Sequence, residues 1–123
     1  MLDASALIAL LHKEPGAEVV EGVVGDAAIS TVNWSEVCQR RLAFGLELEG
    51  FRGRVQVLGL QLVPFTADDA ELAADLRDRT RPRGLSLADR ACLALATRLR
   101  RPALTADRSW LELDLGIEIH AIR

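Results

Sequence analysis

Two hydrophobic periods alternate along the chain. Short, largely apolar blocks at residues 27–31, 61–65, 102–105 and 117–122 predict strands, and Met1-Leu2 predicts the stub of a first strand. Between them apolar residues recur at helical spacing. A helix is expected over 4–12, and Pro15 is expected to open a second one that ends near Gly25-Asp26. A helix from about 33 to 44 stops at Gly45, and another, roughly 48–58, stops at Gly59, so the two predict a helical hairpin. Thr66 starts a helix towards Thr80, which Arg81-Pro82-Arg83-Gly84 breaks. Ser86 starts the next, with a stripe of Ala88, Ala91, Cys92, Leu95, Ala96 and Leu99 whose small side chains suit close approach to a sheet. A short helix is expected over 108–113. Strands alternating with helices in this way predict an α/β fold: a three-layer α/β/α sandwich around a mainly parallel central sheet.

Length and composition narrow the picture. A chain of 123 residues, half of them apolar, suits one domain spanning 1–123 that buries roughly two-thirds of the surface its unfolded form exposes. The apolar stretch at 4–11 is far too short for a bilayer span, and no basic start or cleavage pattern marks a signal peptide, which predicts a cytoplasmic protein with no membrane partner. Cys38 and Cys92 lie in helical apolar patterns without metal spacing and are read as free thiols.

The net charge of −3 argues against a polyanionic partner only until it is divided along the chain. Residues 1–76 carry 5 basic and 12 acidic groups, whereas residues 77–101 carry eight arginines against Asp78 and Asp89. Neutralising four of the acids with bound cations would leave the chain at +1, which is compatible with nucleic acid.

Four acids invite that neutralisation. Asp3 follows the first strand, Glu36 follows the second by a few residues, Asp107 follows the fourth, and Asp89 opens the helix that begins at Ser86. Each also has a structural explanation. Asp3 and Asp107 can cap helices, Ser86-Leu87-Ala88-Asp89 matches a capping box, and Asn33-Trp34-Ser35-Glu36 is a looser version of it. In a parallel sheet, however, the carboxyl ends of the strands share one edge, where ligands bind, and acids at those ends converge. Chain order alone does not bring Asp89 there, because two successive helices precede it; the 81–85 connection would have to carry the chain back across. Carboxylates packed together repel, and divalent cations resolve the conflict. Oxygen-only ligands suit Mg²⁺ or Mn²⁺ rather than zinc, and two ions ~3.5 to 4 Å apart would serve in-line hydrolysis of a phosphodiester.

These residues resemble a known family. Leu2-Asp3-Ala4-Ser5-Ala6-Leu7, Asn33-Trp34-Ser35-Glu36-Val37, the run from Gly84 to Ala94, and Leu104-Thr105-Ala106-Asp107-Arg108-Ser109-Trp110 together look like the PIN-domain ribonucleases, and specifically the VapC-type toxins of toxin–antitoxin pairs. The resemblance spans essentially the whole chain. It implies a PIN-like fold and an endoribonuclease that uses one or two Mg²⁺ or Mn²⁺ ions to cut tRNA or rRNA. It further implies a VapB-type antitoxin as partner and a homodimer. Asp3, Glu36, Asp89 and Asp107 fall on the family's acidic, metal-binding positions. Ser5 and Thr105 fall where relatives place hydroxyls that bond to a carboxylate or to water on the metal; equally, they could satisfy backbone groups at a strand end. Relatives have a longer apolar run before the first aspartate than Met1-Leu2 provides.

Among the remaining residues, arginines of the 77–90 segment, above all Arg81, Arg83 and Arg90, are candidates for RNA phosphates, the alternative being a solvated helix face. Apolar residues Trp34, Val37, Cys38 and Leu42, with Phe51, Val55 and Leu58, supply either core or a surface for an antitoxin helix. Competing functions are a stand-alone PIN nuclease acting on other RNA or DNA, and a non-catalytic receiver-like module. A receiver needs an acceptor aspartate after the third strand and a late lysine. Here that strand ends at Phe65-Thr66, and the lysine is Lys13.

Overall fold

In the computed structural model, which describes residues 1–123, the sheet is carried by four parallel strands of three residues each. These are β1 (Ala28–Ser30), β2 (Gln61–Val63), β3 (Ala103–Thr105) and β4 (Ile119–Ala121). Register pairs Ile29 with Leu62 in one half and Leu104 with His120 in the other. The predicted first strand shrinks to Leu2, which joins the halves: its N–H donates to the Ala28 carbonyl at 2.9 Å, and it bridges in parallel to Leu104. The order across the sheet is therefore β2, β1, Leu2, β3, β4.

Strand periodicity divides the apolar residues between two cores. Leu2 and Ile29 face one, with Leu7, Val20, Val37 and Val55; Met1, Ala28 and Ala103 face the other, with Leu76, Leu93 and Trp110. The first is covered by α1 (Ala4–His12), α2 (Ala17–Glu21), α3 (Thr31–Ala43) and α4 (Phe51–Val57), the second by α5 (Ala67–Thr80) and α6 (Leu87–Leu99). This is the expected α/β/α sandwich.

Several boundaries move for local reasons. Ser30 ends β1 and caps α3 by accepting from the Val32 N–H, so the helix starts at Thr31 and Asn33 lies inside it. The second helix is a short α2 followed by a 3₁₀ turn, Val24–Asp26, and α4 begins only after Gly50, which takes a left-handed φ of 68°. Gly16, at φ 90°, is required as glycine, because a Cβ there would collide with the Ile122 carbonyl.

The 81–85 connection is a tight turn and not an extended crossing. Asp69 at the start of α5 pairs with Arg98 at the end of α6, and Arg90 donates to the Ala73 carbonyl, so the two helices form an antiparallel hairpin. A 3₁₀ turn, Arg81–Arg83, and left-handed Gly84 simply reverse the chain. In the other hairpin Trp34 stacks on Phe51 with ring centroids 5.0 Å apart, and Val37, Phe51 and Val55 go to the core. Leu42, Phe44, Leu46, Leu48 and Leu58 remain exposed. Both cysteines are free, Cys92 buried and Cys38 half-buried. No helix is long and apolar enough to cross a membrane.

Candidate active site

Asp3 leaves the sheet directly after Leu2 and is 4% exposed. Its carboxylate is held from three sides. Oδ2 accepts from the Ser5 hydroxyl at 2.6 Å, the Thr105 hydroxyl at 3.1 Å and the Ser5 N–H at 3.3 Å, while Oδ1 accepts from the Asn33 amide at 3.3 Å. The Ser5 N–H bond makes Asp3 the cap of α1, as its structural explanation required. Each hydroxyl has one proton and gives it to Asp3. As acceptors, Ser5 Oγ takes the Ala106 N–H at 2.9 Å and Thr105 Oγ1 takes the Asp107 N–H at 3.1 Å, so both hydroxyls satisfy the backbone as well.

Asn33 is the residue sequence reasoning missed. It is fully buried, and its amide nitrogen also donates to the Ala88 carbonyl at 2.9 Å. That bond ties the first turn of α6 to Asp3. It answers what chain order left open: α6 begins at the cleft. The available signal was a helical asparagine one turn before Glu36, on the same face.

Asp89 completes the predicted capping box, accepting from the Ser86 N–H at 2.7 Å while its own N–H meets the Ser86 hydroxyl at 3.1 Å. The cap does not exclude it from the site. Asp3, Glu36 and Asp89 all line one open cleft of ≈ 560 Å³, together with Ser5, Arg40 and Arg123. Asp107 does not line it. That residue is exposed and caps the 3₁₀ turn Arg108–Glu112 by accepting from the Ser109 N–H at 2.9 Å, reaching Asp3 only through Thr105.

Two of the cleft carboxyls, Asp3 and Glu36, are held above their ordinary range. Burial pushes the Asp3 carboxyl above the usual carboxylate range; the hydrogen bonds from Ser5 and Thr105 oppose this, and the Asp89 charge adds to it. Glu36 is raised by burial, then by Asp3 and by Asp89. No basic side chain offsets either shift, which is the electrostatic situation a divalent cation relieves. The donor set is oxygen only, as a hard cation requires. In the side-chain conformations present, no three acidic groups converge as a finished ligand set. The residues thus suit a divalent ion in chemistry and charge, with Glu36 on α3 and Asp89 in the first turn of α6 lining the same cleft as the buried, oriented Asp3.

The candidate RNA-contacting arginines lie outside the cleft. Arg83 pairs with Glu112, and Arg90 is half-buried with one nitrogen on the Ala73 carbonyl at 2.6 Å and its Nε without a partner. Arg81 is exposed at the start of the 3₁₀ turn.

A parallel α/β sandwich with carboxylates gathered at the carboxyl edge of its sheet defines a class of acid-cleft α/β protein. Within that class the chain belongs to the PIN-domain family, whose sequence model matches residues 1–115. It is 31% identical over 125 residues to a ribonuclease VapC of Mycolicibacterium smegmatis, a match covering 94% of this chain and 97% of that protein. Among solved structures it is similar to a toxin–antitoxin complex from Klebsiella pneumoniae, with TM-score 0.78 and 24% identity over 99% of this chain and 96% of that one. It is also similar to DNA-bound VapBC from Salmonella typhimurium, with TM-score 0.67 and 19% identity over 100% and 97% of the two chains. These likenesses confirm the fold.

Proposed function

We propose that this chain, as a single domain over residues 1–123, is a divalent-metal-dependent endoribonuclease that acts as the toxin of a toxin–antitoxin pair. The observation that carries the reading is that Asp3, Glu36 and Asp89 line one cleft, where the Asp89 charge raises the proton affinity of Asp3 and both raise that of Glu36. A bound Mg²⁺ or Mn²⁺ would supply Lewis-acid stabilisation of the charge that develops during phosphodiester hydrolysis. Asp3 is the anchoring ligand, its orientation set by Ser5, Thr105 and Asn33, while Glu36 and Asp89 close the site from α3 and α6. Asp107 acts from outside, fixing the turn after β3 on which Thr105 depends. Kinship to a ribonuclease VapC supports RNA as substrate. Kinship to toxin–antitoxin complexes supports a VapB-type partner. The exposed Leu42, Phe44, Leu46 and Leu48 supply apolar surface that such a partner, or a second copy in a homodimer, would cover.

The test is cleavage of tRNA, rRNA and single-stranded DNA by purified protein in Mg²⁺, Mn²⁺ or EDTA. Wild type is expected to cut RNA only with metal, and Asp89→Asn to lose at least ~100-fold in rate. Asparagine can still accept from the Ser86 N–H, so the circular dichroism spectrum should not change. Full activity in EDTA, or undiminished cleavage by folded Asp89→Asn, would sink the assignment.

A further inference from the structure

We propose that Arg40 is the phosphate-binding residue of the cleft, holding a backbone phosphate next to the one being cleaved and so positioning the strand. The inference rests on the nuclease reading and deepens it.

Arg40 follows Glu36 by four residues on α3, which puts both on one face about 6 Å apart along the axis. Both line the cleft. A glutamate followed at this spacing by an arginine is placed to close an ion pair. Here it does not. Arg40 takes part in none of the ion pairs of the structure. The guanidinium instead lies over the Phe44 ring, 5.5 Å from its centroid, and Phe44 is itself braced edge-on by His12 at 4.9 Å.

This makes Arg40 the uncommitted cation of the site. Arg123, on the same cleft, donates to the Glu14 carboxylate at 3.0 Å and to the Pro15 carbonyl at 3.2 Å. Arg41 donates to the Glu47 carbonyl at 2.7 Å and lies over Phe51. A polynucleotide reaching Asp3, Glu36 and Asp89 brings several phosphates, and cations bound among the carboxylates serve only the one being cut. The neighbouring phosphate needs its own partner. A guanidinium parked on an aromatic ring, its fork of donors free, suits that ligand in charge and shape. The competing role is a solvated arginine that favours the carboxyl end of α3 through the helix dipole. That role would affect stability and leave substrate binding unchanged.

The experiment measures steady-state cleavage of a mixed-sequence, fluorescein-labelled single-stranded RNA by the metal-loaded enzyme across a range of salt concentrations. Wild type is compared with Arg40→Gln, Arg40→Lys and the exposed control Arg52→Gln. Arg40→Gln should raise KM roughly 10-fold with kcat nearly unchanged, because a charge-assisted contact made equally in ground and transition states is lost. The logarithmic salt slope of kcat/KM should become shallower by about 0.7, one phosphate's share on a single strand. Arg40→Lys should keep the slope but recover only part of the affinity, since the charge remains and the fork does not. Arg52→Gln should match wild type. If wild type cleaves RNA and Arg40→Gln keeps its KM and salt slope, this inference fails alone. If wild type cuts only DNA, the same comparison on DNA decides it. If it cuts neither, the nuclease reading fails and the Arg40 role falls with it.

Discussion

A single asparagine holds the candidate site together. Asn33 spans from α3 to the Asp3 carboxylate on one side and the Ala88 carbonyl on the other, with no solvent contact. Removing its amide takes away the hydrogen bond to Asp3 Oδ1 and the tie to the Ala88 carbonyl, and lets Asp3 and the start of α6 drift relative to one another. Asn33→Ala should therefore lower stability by about 1–3 kcal/mol and cleavage by about 10- to 100-fold, a supporting residue's share. Urea denaturation and cleavage rates of the soluble variant check both; a loss of stability without loss of rate would mean that Asn33 serves packing only. Asp3, Glu36 and Asp107 were legible in the sequence as acids at or shortly after strand ends, and Asp89 through the family resemblance. Asn33 was not, because its role depends on a residue 30 positions earlier and another 55 positions later.

At the scale of elements, the α5–α6 hairpin decides where Asp89 lies, and its clamp is Asp69 with Arg98. The Arg98 guanidinium reaches both Asp69 oxygens, at 2.6 and 3.0 Å, and Asp69 also closes the capping box with Thr66. Burial pushes the Asp69 carboxyl up, but the hydrogen bonds and charge of Arg98 and the bond from the Thr66 backbone bring it below the usual range. An unfolded chain then binds the Asp69 proton more readily than the folded one. The clamp's contribution is present above the ordinary aspartate pKa and disappears as pH falls through the lowered folded value. Asp69→Asn should cost about 2 kcal/mol at pH 7, discounted because Arg98 is a third exposed, and the variant's stability should fall less steeply on acidification than wild type's. Urea midpoints at neutral and acid pH test this. The helices and caps of the hairpin could be read from sequence: Thr66 and Ser86 each begin a helix with an acid three residues on. The antiparallel packing that places Arg98 on Asp69 could not, since it depends on a turn geometry that Arg81-Pro82-Arg83-Gly84 permits but does not specify.

For the molecule as a whole, three carboxylates share one cleft, and a divalent cation bound among them should stabilise the fold. Mg²⁺ or Mn²⁺ at 100 times its dissociation constant should add about 2.7 kcal/mol, read as a higher melting temperature, and Glu36→Gln should reduce that gain. An unchanged melting temperature at saturating metal would contradict a cation site. Local chemistry in the sequence determined the elements: apolar period separates strand from helix, caps and glycines set the boundaries, and strand-end acids announce the chemistry. Tertiary structure alone decided which of those acids meet. It brought Asp3, Glu36 and Asp89 to one cleft and left Asp107 outside as a cap. It committed Arg83 and Arg90 to protein partners while leaving Arg40 free. Convergence and commitment depend on contacts between residues tens of positions apart, and local propensity and spacing carry no record of which distant partner a side chain will meet.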